Sequence, residues 1–330
     1  MQRTPLAALF AASALVLAAC GGDDSGSADA AGGSSGAGDK LSVAYVPGLT
    51  GNPFYSTVGC GGRDRAKELG VDFKVQGSPT FDVAAQTSVV NALVADKPDA
   101  LMISVTDATA MAIPLTEAKD AGVDVITIDG DLEDTSIGKA NIQSDNLEGG
   151  KLAAENLGKL LNGQGEVLAI NQSPGNPIGE LREQGFAEGL KAFPGIKYLG
   201  VQYDENATAT AASIASGAAS SNPNLKGIYT MATNSTEGAI TGVREAGRTG
   251  DVKVVGYDTS EPIIQALEDG AVDGIVVQYP YREGALGVEA ALALSKGEEV
   301  QRNQTVPFVF ATPDNVDTDE VQEYLYKVDC

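Results

Sequence analysis

The sequence predicts an α/β protein made of two doubly wound lobes, each a parallel sheet flanked by helices. Three observations predict it. From Lys40 onward, short β-branched runs alternate with longer segments of helical period, the pattern of a parallel sheet with crossover helices. The alternation runs twice, a first series ending near Ile128 and a second beginning near Leu147. About 290 residues follow the N-terminal segment, room for two hydrophobic cores rather than one.

In chain order, strands are expected at 41–46, 72–76, 100–104 and 124–128, with helices between them at about 54–69, 83–95 and 108–121. The second series reads helix 147–161, strand 166–171, helix 178–192, strand 197–202, helix 208–220, strand 227–230, helix 236–246 and strand 253–257. Helix 262–269, strand 274–278, helix 283–295 and strand 308–310 complete the pattern and must be shared between the lobes. The expected division is 40–144 plus 279–306 for the N-terminal lobe, 145–278 plus 307–317 for the C-terminal lobe, and 318–330 as a tail.

The N-terminus carries a different signal. Arg3 supplies a positive start, residues 6–19 an apolar run, and Leu17-Ala18-Ala19 precede Cys20, as in a bacterial secretory signal with a lipoprotein cleavage site. The apolar run is too short to span a bilayer as a helix. Residues 1–19 are therefore expected to be removed, Cys20 to carry lipid, and 20–39, rich in Gly, Ala, Ser and Asp, to tether an extracytoplasmic domain to the membrane, in the periplasm or at the cell surface. With Cys20 so used, Cys60 and Cys330 remain as one possible disulfide or as two free thiols.

Composition narrows the chemistry. A net charge of −23 argues against nucleic acid as a partner and weakens broad contact with anionic lipid. The chain has no histidine, which excludes Ser-His-Asp, Cys-His and His-rich zinc sites. It also has no tryptophan, so any platform for a ligand's apolar face must come from the 8 Phe and 10 Tyr. No phosphate loop is present, and Gly59 to Gly62 fall inside the first expected helix. Asp129, Asp131, Glu133 and Asp134 lack the spacing of a cation loop and read as a solvated turn, so neither metal nor cofactor is expected.

Ligands of open α/β sheets sit beyond the carboxyl ends of the strands. Those positions are rich in carboxylates, amides and rings here: Asn52, Phe54 and Tyr55 after the first strand, Asp129 after the fourth, Tyr203 and Asp204, Asn234, Tyr257 and Asp258, and Gln278. Taken singly, each polar residue is equally a helix cap. Taken together with interleaved aromatics they predict a site for a neutral, polyhydroxylated molecule, with planar polar groups for hydroxyl pairs and rings against C–H faces.

These residues carry a family resemblance. The segment from Leu41 to about Thr312 resembles the periplasmic sugar-binding proteins of ATP-driven importers, of the ribose-binding type that is related to LacI-like repressor effector domains. The motifs are Asn52-Pro53-Phe54-Tyr55, Pro98-Asp99-Ala100, Ile128-Asp129, Ser144-Asp145-Asn146 before Gly149-Gly150, Gly185-Phe186, Val255-Gly256-Tyr257-Asp258, and Gln278 ahead of Gly287-Val288-Glu289. The resemblance implies a type I periplasmic-binding fold, two lobes joined by a multi-strand hinge near 143–145, 278–279 and 305–308. It places Asn52, Phe54, Tyr55 and Asp129 on the first lobe's side of a cleft. Tyr203, Asn234, Tyr257 and Asp258 fall on the second lobe, and Gln278 at a crossing between them.

Two departures stand out. Ribose-type members carry arginines at the positions of Gly130 and Glu180, so both guanidinium groups are missing, and Glu180 becomes a candidate ligand residue favouring a polyol, an amino sugar or another ligand with a cationic edge. Arg182 matches a more structural arginine and is expected to brace its helix. The implied protein is a monomer that captures a sugar or polyol and delivers it to an ABC permease with a cytoplasmic ATPase. The alternatives are presentation of a sugar or furanose signal to a membrane receptor, or glycoside hydrolysis by Asp129 and Asp258. The tail, if joined through Cys60 and Cys330, is expected to recross to the first lobe and pin its end there without blocking a hinge made elsewhere.

Overall fold

The computed structural model describes residues 40–330, so the expected signal, lipidated Cys20 and tether lie outside the described residues. The first series forms β1 (Ser42–Val46), α1 (Pro53–Leu69), β2 (Asp72–Val75), α2 (Val83–Ala95), β3 (Ala100–Ile103), α3 (Ala112–Asp120), β4 (Asp124–Ile128) and β5 (Ala140–Ser144). The second forms α4 (Asn146–Leu160), β6 (Gln164–Asn171), α5 (Pro177–Gly189), β7 (Gly195–Tyr203), α6 (Thr208–Ser221), β8 (Leu225–Thr230), α7 (Thr233–Glu245), β9 (Lys253–Tyr257), α8 (Glu261–Glu268) and β10 (Gly274–Val277). Then come α9 (Pro280–Ser295), β11 (Asn303–Val306), β12 (Val309–Ala311) and α10 (Asp319–Gln322).

The strands make two six-stranded sheets, ordered β2-β1-β3-β4-β5-β11 and β7-β6-β8-β9-β10-β12, the same winding twice. All pairs are parallel except β10 with β12. That exception follows from the crossing. β11 ends at the carboxyl edge of the first sheet, and with only Pro307 and Phe308 before β12 the chain enters the second sheet from its own carboxyl edge and runs against β10. Two further passages, at Asp145 and at Gln278–Tyr279, join the sheets.

Each sheet is apolar on both faces, as parallel sheets covered by helices must be. In β1, Val43 and Tyr45 face α1 and α9 while Ala44 and Val46 face α2 and α3. In β6, Val167 and Ala169 face α4 and α5 while Leu168 and Ile170 face α6 and α7. Helix starts follow local chemistry: Asn52, Asp82, Asp145, Asn176 and Ser260 each cap a helix by accepting from a backbone N–H two or three residues on. The glycines in the first helix serve packing. A Cβ on Gly61 would strike the carbonyl of Tyr281, and one on Gly284 the carbonyl of Val58, so α1 and α9 cross nearly backbone to backbone.

Three expectations change. The helix expected from 108 begins at Ala112, because Asp107 Oδ1 accepts from Thr109 and Ala110 N–H (2.9 and 2.6 Å) and holds those residues in a turn. The sequence reading placed only crossings near 143 and 305, where the structure has β5 and β11 paired in parallel with each other. The tail does not stay clear of the passages between lobes. Beyond α10 it runs beside the Gln278–Tyr281 passage, with Tyr279 Oη donating to Glu323 (2.7 Å), the Tyr279 and Tyr324 rings 4.7 Å apart, and Lys327 Nζ 4.7 Å above the Tyr281 ring. Its end is bonded to α1 through the Cys60–Cys330 disulfide.

Candidate ligand-binding cleft

The carboxyl edges of the two sheets face each other across a small cavity. It is lined by Asn52, Phe54, Tyr55 and Asp129 from the first lobe, by Gln172, Arg182, Ala232 and Asp258 from the second, and by Gln278 from a passage between them. Asn52 reaches it because it caps α1, its Oδ1 accepting from Phe54 N–H (2.9 Å), which turns Nδ2 across the cleft toward Asn234 Oδ1 (3.5 Å). Phe54 and Tyr55 open α1 with rings edge to face, 5.4 Å between centroids.

Asp129 and Asp258 occupy equivalent places in the two lobes. Each follows a buried strand, β4 or β9, and each takes a left-handed backbone, φ 69° and 68°. Each N–H then bonds the neighbouring strand, at Ile142 O (2.8 Å) and Val276 O (2.9 Å). This conformation is uncommon outside glycine, and it aims the carboxylate off the sheet edge.

Arg182 is the cation of the site. It is 2% exposed, braced by Nε donating to Asn146 Oδ1 (2.9 Å) and Nη1 donating to Met231 O (2.5 Å), with its Cζ 3.8 Å over the Tyr257 ring. Burial opposes its charge, but Tyr257, Asp258 and Asp129 outweigh that and hold it protonated. Its Nη2 lies 3.8 Å from Asp129 Oδ1, too far for a hydrogen bond, and both atoms are buried without a partner. Gln278 donates through Nε2 to Asp258 Oδ1 (2.8 Å) and leaves its Oε1 buried and unpartnered.

Burial pushes the Asp129 carboxyl up to about 7; Arg182 opposes the shift and Asp258 adds to it. Behind the cavity, burial likewise raises Glu283 well above the carboxylate range, reinforced by Asp129 and opposed by the bond from Ser144 Oγ (3.3 Å). The lining therefore sets one firm cation against Asp258 and a carboxyl poised to ionise near neutrality.

The structure brings together six of the residues expected from sequence: Asn52, Phe54, Tyr55, Asp129, Asp258 and Gln278. Four lie elsewhere. Asn234 faces an outer groove and donates to Asn206 O (2.6 Å). Tyr257 is buried beneath Arg182. Tyr203 ends the edge strand β7 and does not line the cavity, and neither does Glu180. Glu180 is exposed, accepts from Gly175 N–H (3.1 Å) and lines a separate groove with Asp131 and Gln184. At Gly130 a Cβ would lie 2.9 Å from Pro177 and 3.1 Å from Ile178 of the second lobe, so a larger side chain there would be crowded.

Gln172 and Arg182 were missed as lining residues. Gln172 follows β6, so the strand-end rule already pointed to it. Ile178, Arg182 and Phe186 recur every fourth residue on a buried face of α5, a spacing that turns the arginine inward with its apolar neighbours. Asp131 is bound by Arg302 (2.8 Å), and among the described residues no group of three or more His, Cys, Asp or Glu is arranged to hold a metal ion.

Comparison with known proteins places this architecture. The family model described as "periplasmic binding protein domain" matches residues 43–299. The D-ribose/D-allose-binding protein of Pseudomonas aeruginosa is 29% identical over 79% of this chain and 84% of its own length. An ABC transporter solute binding protein from Agrobacterium vitis, solved with α-D-tagatopyranose, is 33% identical, superimposes with a TM-score of 0.86, and is matched over 87% of this chain and 100% of that one. A carbohydrate transporter solute binding protein from Agrobacterium radiobacter, solved with D-arabinose, is 29% identical with a TM-score of 0.84 over 87% of this chain and 99% of that one. The twofold winding, the facing carboxyl edges and the match across both lobes lead to one conclusion: this chain belongs to the periplasmic binding protein domain family.

Proposed function

We propose that this chain captures a neutral sugar or sugar-like polyol between its lobes and delivers it to an ABC permease paired with a cytoplasmic ATPase. One observation carries the reading: Asp129 Oδ1, Gln278 Oε1 and Arg182 Nη2, two acceptors and a donor, belong to residues lining one cavity and are buried there without partners. Buried polar groups are otherwise almost always paired. Hydroxyl groups both donate and accept, so one polyhydroxylated molecule satisfies all three while the Phe54 and Tyr55 rings cover its C–H face. The sugars bound by the Agrobacterium proteins and named for the Pseudomonas relative support the same class.

Arg182 shifts the choice of ligand away from an amino sugar. A cationic edge would be set beside the buried Arg182 guanidinium, whereas a neutral hydroxylated edge meets both donors and acceptors. The cavity holds about 10 Å³, room for about one water molecule, so loading a sugar requires the lobes to part. The three passages at Asp145, Gln278–Tyr279 and Pro307–Phe308 are the hinge in this reading, and ligand touching both lobes favours the closed state. Residues 1–39 then serve as signal and tether, with lipid on Cys20 holding the domain outside the cytoplasm. Asp129 and Asp258 act as hydroxyl acceptors rather than as a hydrolytic pair, and no turnover of sugar is expected.

The test is a thermal-shift and calorimetric screen of the full chain against pentoses, hexoses, polyols, amino sugars and nucleosides. A sugar at a thousandfold over its dissociation constant adds about 4 kcal/mol of stability. No shift with any pentose, hexose or polyol overturns the reading.

A further inference from the structure

The C-terminal tail brings one more side chain to the cleft. Tyr326 Oη donates to Asp258 Oδ1 (2.5 Å), its backbone N–H donates to Thr259 Oγ1 (3.2 Å), and its ring stands edge-on to Phe54, 5.9 Å between centroids. It thus touches both lobes at once. Tyr326 also lines a groove of about 820 Å³, together with Gly51, Pro53, Asn234 and Thr259. The inner cavity is lined by the residues next to these in the chain, Asn52 and Asp258. The Asn52–Asn234 contact and the Tyr326–Asp258 bond thus each tie a residue lining the cavity to one lining the groove.

The tail holds Tyr326 there from both ends. Glu323 and Tyr324 engage Tyr279 on one side. On the other, Lys327 O accepts from Thr57 Oγ1 (3.1 Å) and Cys330 is bonded to Cys60 of α1. The bond from Tyr326 also orients the carboxylate. Asp258 Oδ1 receives both Gln278 and Tyr326, while Oδ2 receives only a long contact from Thr233 (3.4 Å) and keeps acceptor capacity for a ligand hydroxyl.

We propose that Tyr326 is a specificity-determining residue of the sugar site, a wall delivered by the disulfide-tethered tail that confines the ligand to a single sugar ring and fixes Asp258 for it. The proposal rests on reading the cavity as a sugar site. Natural binding of larger saccharides would need that wall withdrawn into the groove.

Calorimetry on the full chain tests it, with D-ribose, D-allose, D-arabinose and D-tagatose as small probes and maltose, cellobiose and lactose as large ones. The wild-type protein binds at least one small probe and no disaccharide. Tyr326→Phe keeps the wall but loses the bond to Asp258, weakening the small probe about tenfold while still excluding disaccharides, with a smaller drop in its unliganded unfolding midpoint than Tyr326→Ala. Tyr326→Ala weakens the small probe further and admits a disaccharide, and Cys330→Ser moves in the same direction by less. If a small probe binds wild type, Tyr326→Phe and Tyr326→Ala alike, and disaccharides stay excluded, the wall is overturned and the sugar reading stands. If no small probe binds any of the four proteins, the sugar reading falls and this proposal with it.

Discussion

Asp129 and Asp258 are the same backbone device built twice, and their carboxylates end with different partners. Both follow a buried strand with a left-handed backbone near φ 70°, and both tie their N–H to the next strand. Asp258 is then saturated at one oxygen by Gln278 and Tyr326. Asp129 keeps an unpartnered oxygen 3.8 Å from Arg182, and burial pushes its carboxyl up to about 7. A duplicated fold therefore repeats backbone geometry but not the carboxylate's partners, because those are side chains arriving from other elements.

Removing the shared cation breaks the comparison most severely. Arg182→Ala leaves Asp129 and Asp258 without their buried counter-charge and strips Asn146 and Met231 of a donor, so a loss of about 3–5 kcal/mol is expected in denaturant unfolding. An unchanged midpoint would show that the carboxylates do not depend on Arg182. Next, Asp258→Ala should weaken binding of the best sugar by about a hundredfold or more in calorimetry, since it leaves the Gln278 amide and the Tyr326 hydroxyl without their acceptor as well as the ligand.

A pH titration separates the two aspartates more finely. Because the folded Asp129 value of about 7 exceeds the ordinary 3.8, the native state holds a proton that the unfolded chain has released between these values. Its contribution to stability is complete below pH 4 and is lost as pH rises through 7. Asp129→Asn should escape that loss, so its advantage over wild type grows from pH 4 to 7 to about 4 kcal/mol and is flat above. Sugar affinity of the wild type should strengthen as pH rises through 7, since the ionised carboxylate is the better acceptor, and Asp129→Asn should abolish that trend. The smallest effect belongs to Glu180→Gln, expected within about 0.5 kcal/mol for both stability and sugar binding, because Glu180 is exposed and lines another groove. A large loss of sugar binding there would return Glu180 to the site.

The aspartates themselves were legible in sequence, as were Asn52, Phe54, Tyr55 and Gln278, because a strand end before a helix is a local pattern and its position relative to the cleft follows from the winding. Tyr203 misled for the same reason: it ends a strand, but β7 is an edge strand, and the cavity gathers around the middle of the sheet. Glu180 misled through a family position: in this structure it is exposed and lines a separate groove.

By itself the sequence determined the doubly repeated alternation of strands and helices, most helix starts, and the polar strand ends that line the cleft. Those depend on periodicity and capping over a few neighbouring residues. Only the tertiary structure decided that β5 and β11 pair, that Arg182 turns into the cavity between Asn146 and Met231, and that Tyr326 reaches Asp258 across 68 residues of chain. Each of these joins groups far apart in sequence, and no local propensity encodes which distant partner will meet a buried charge.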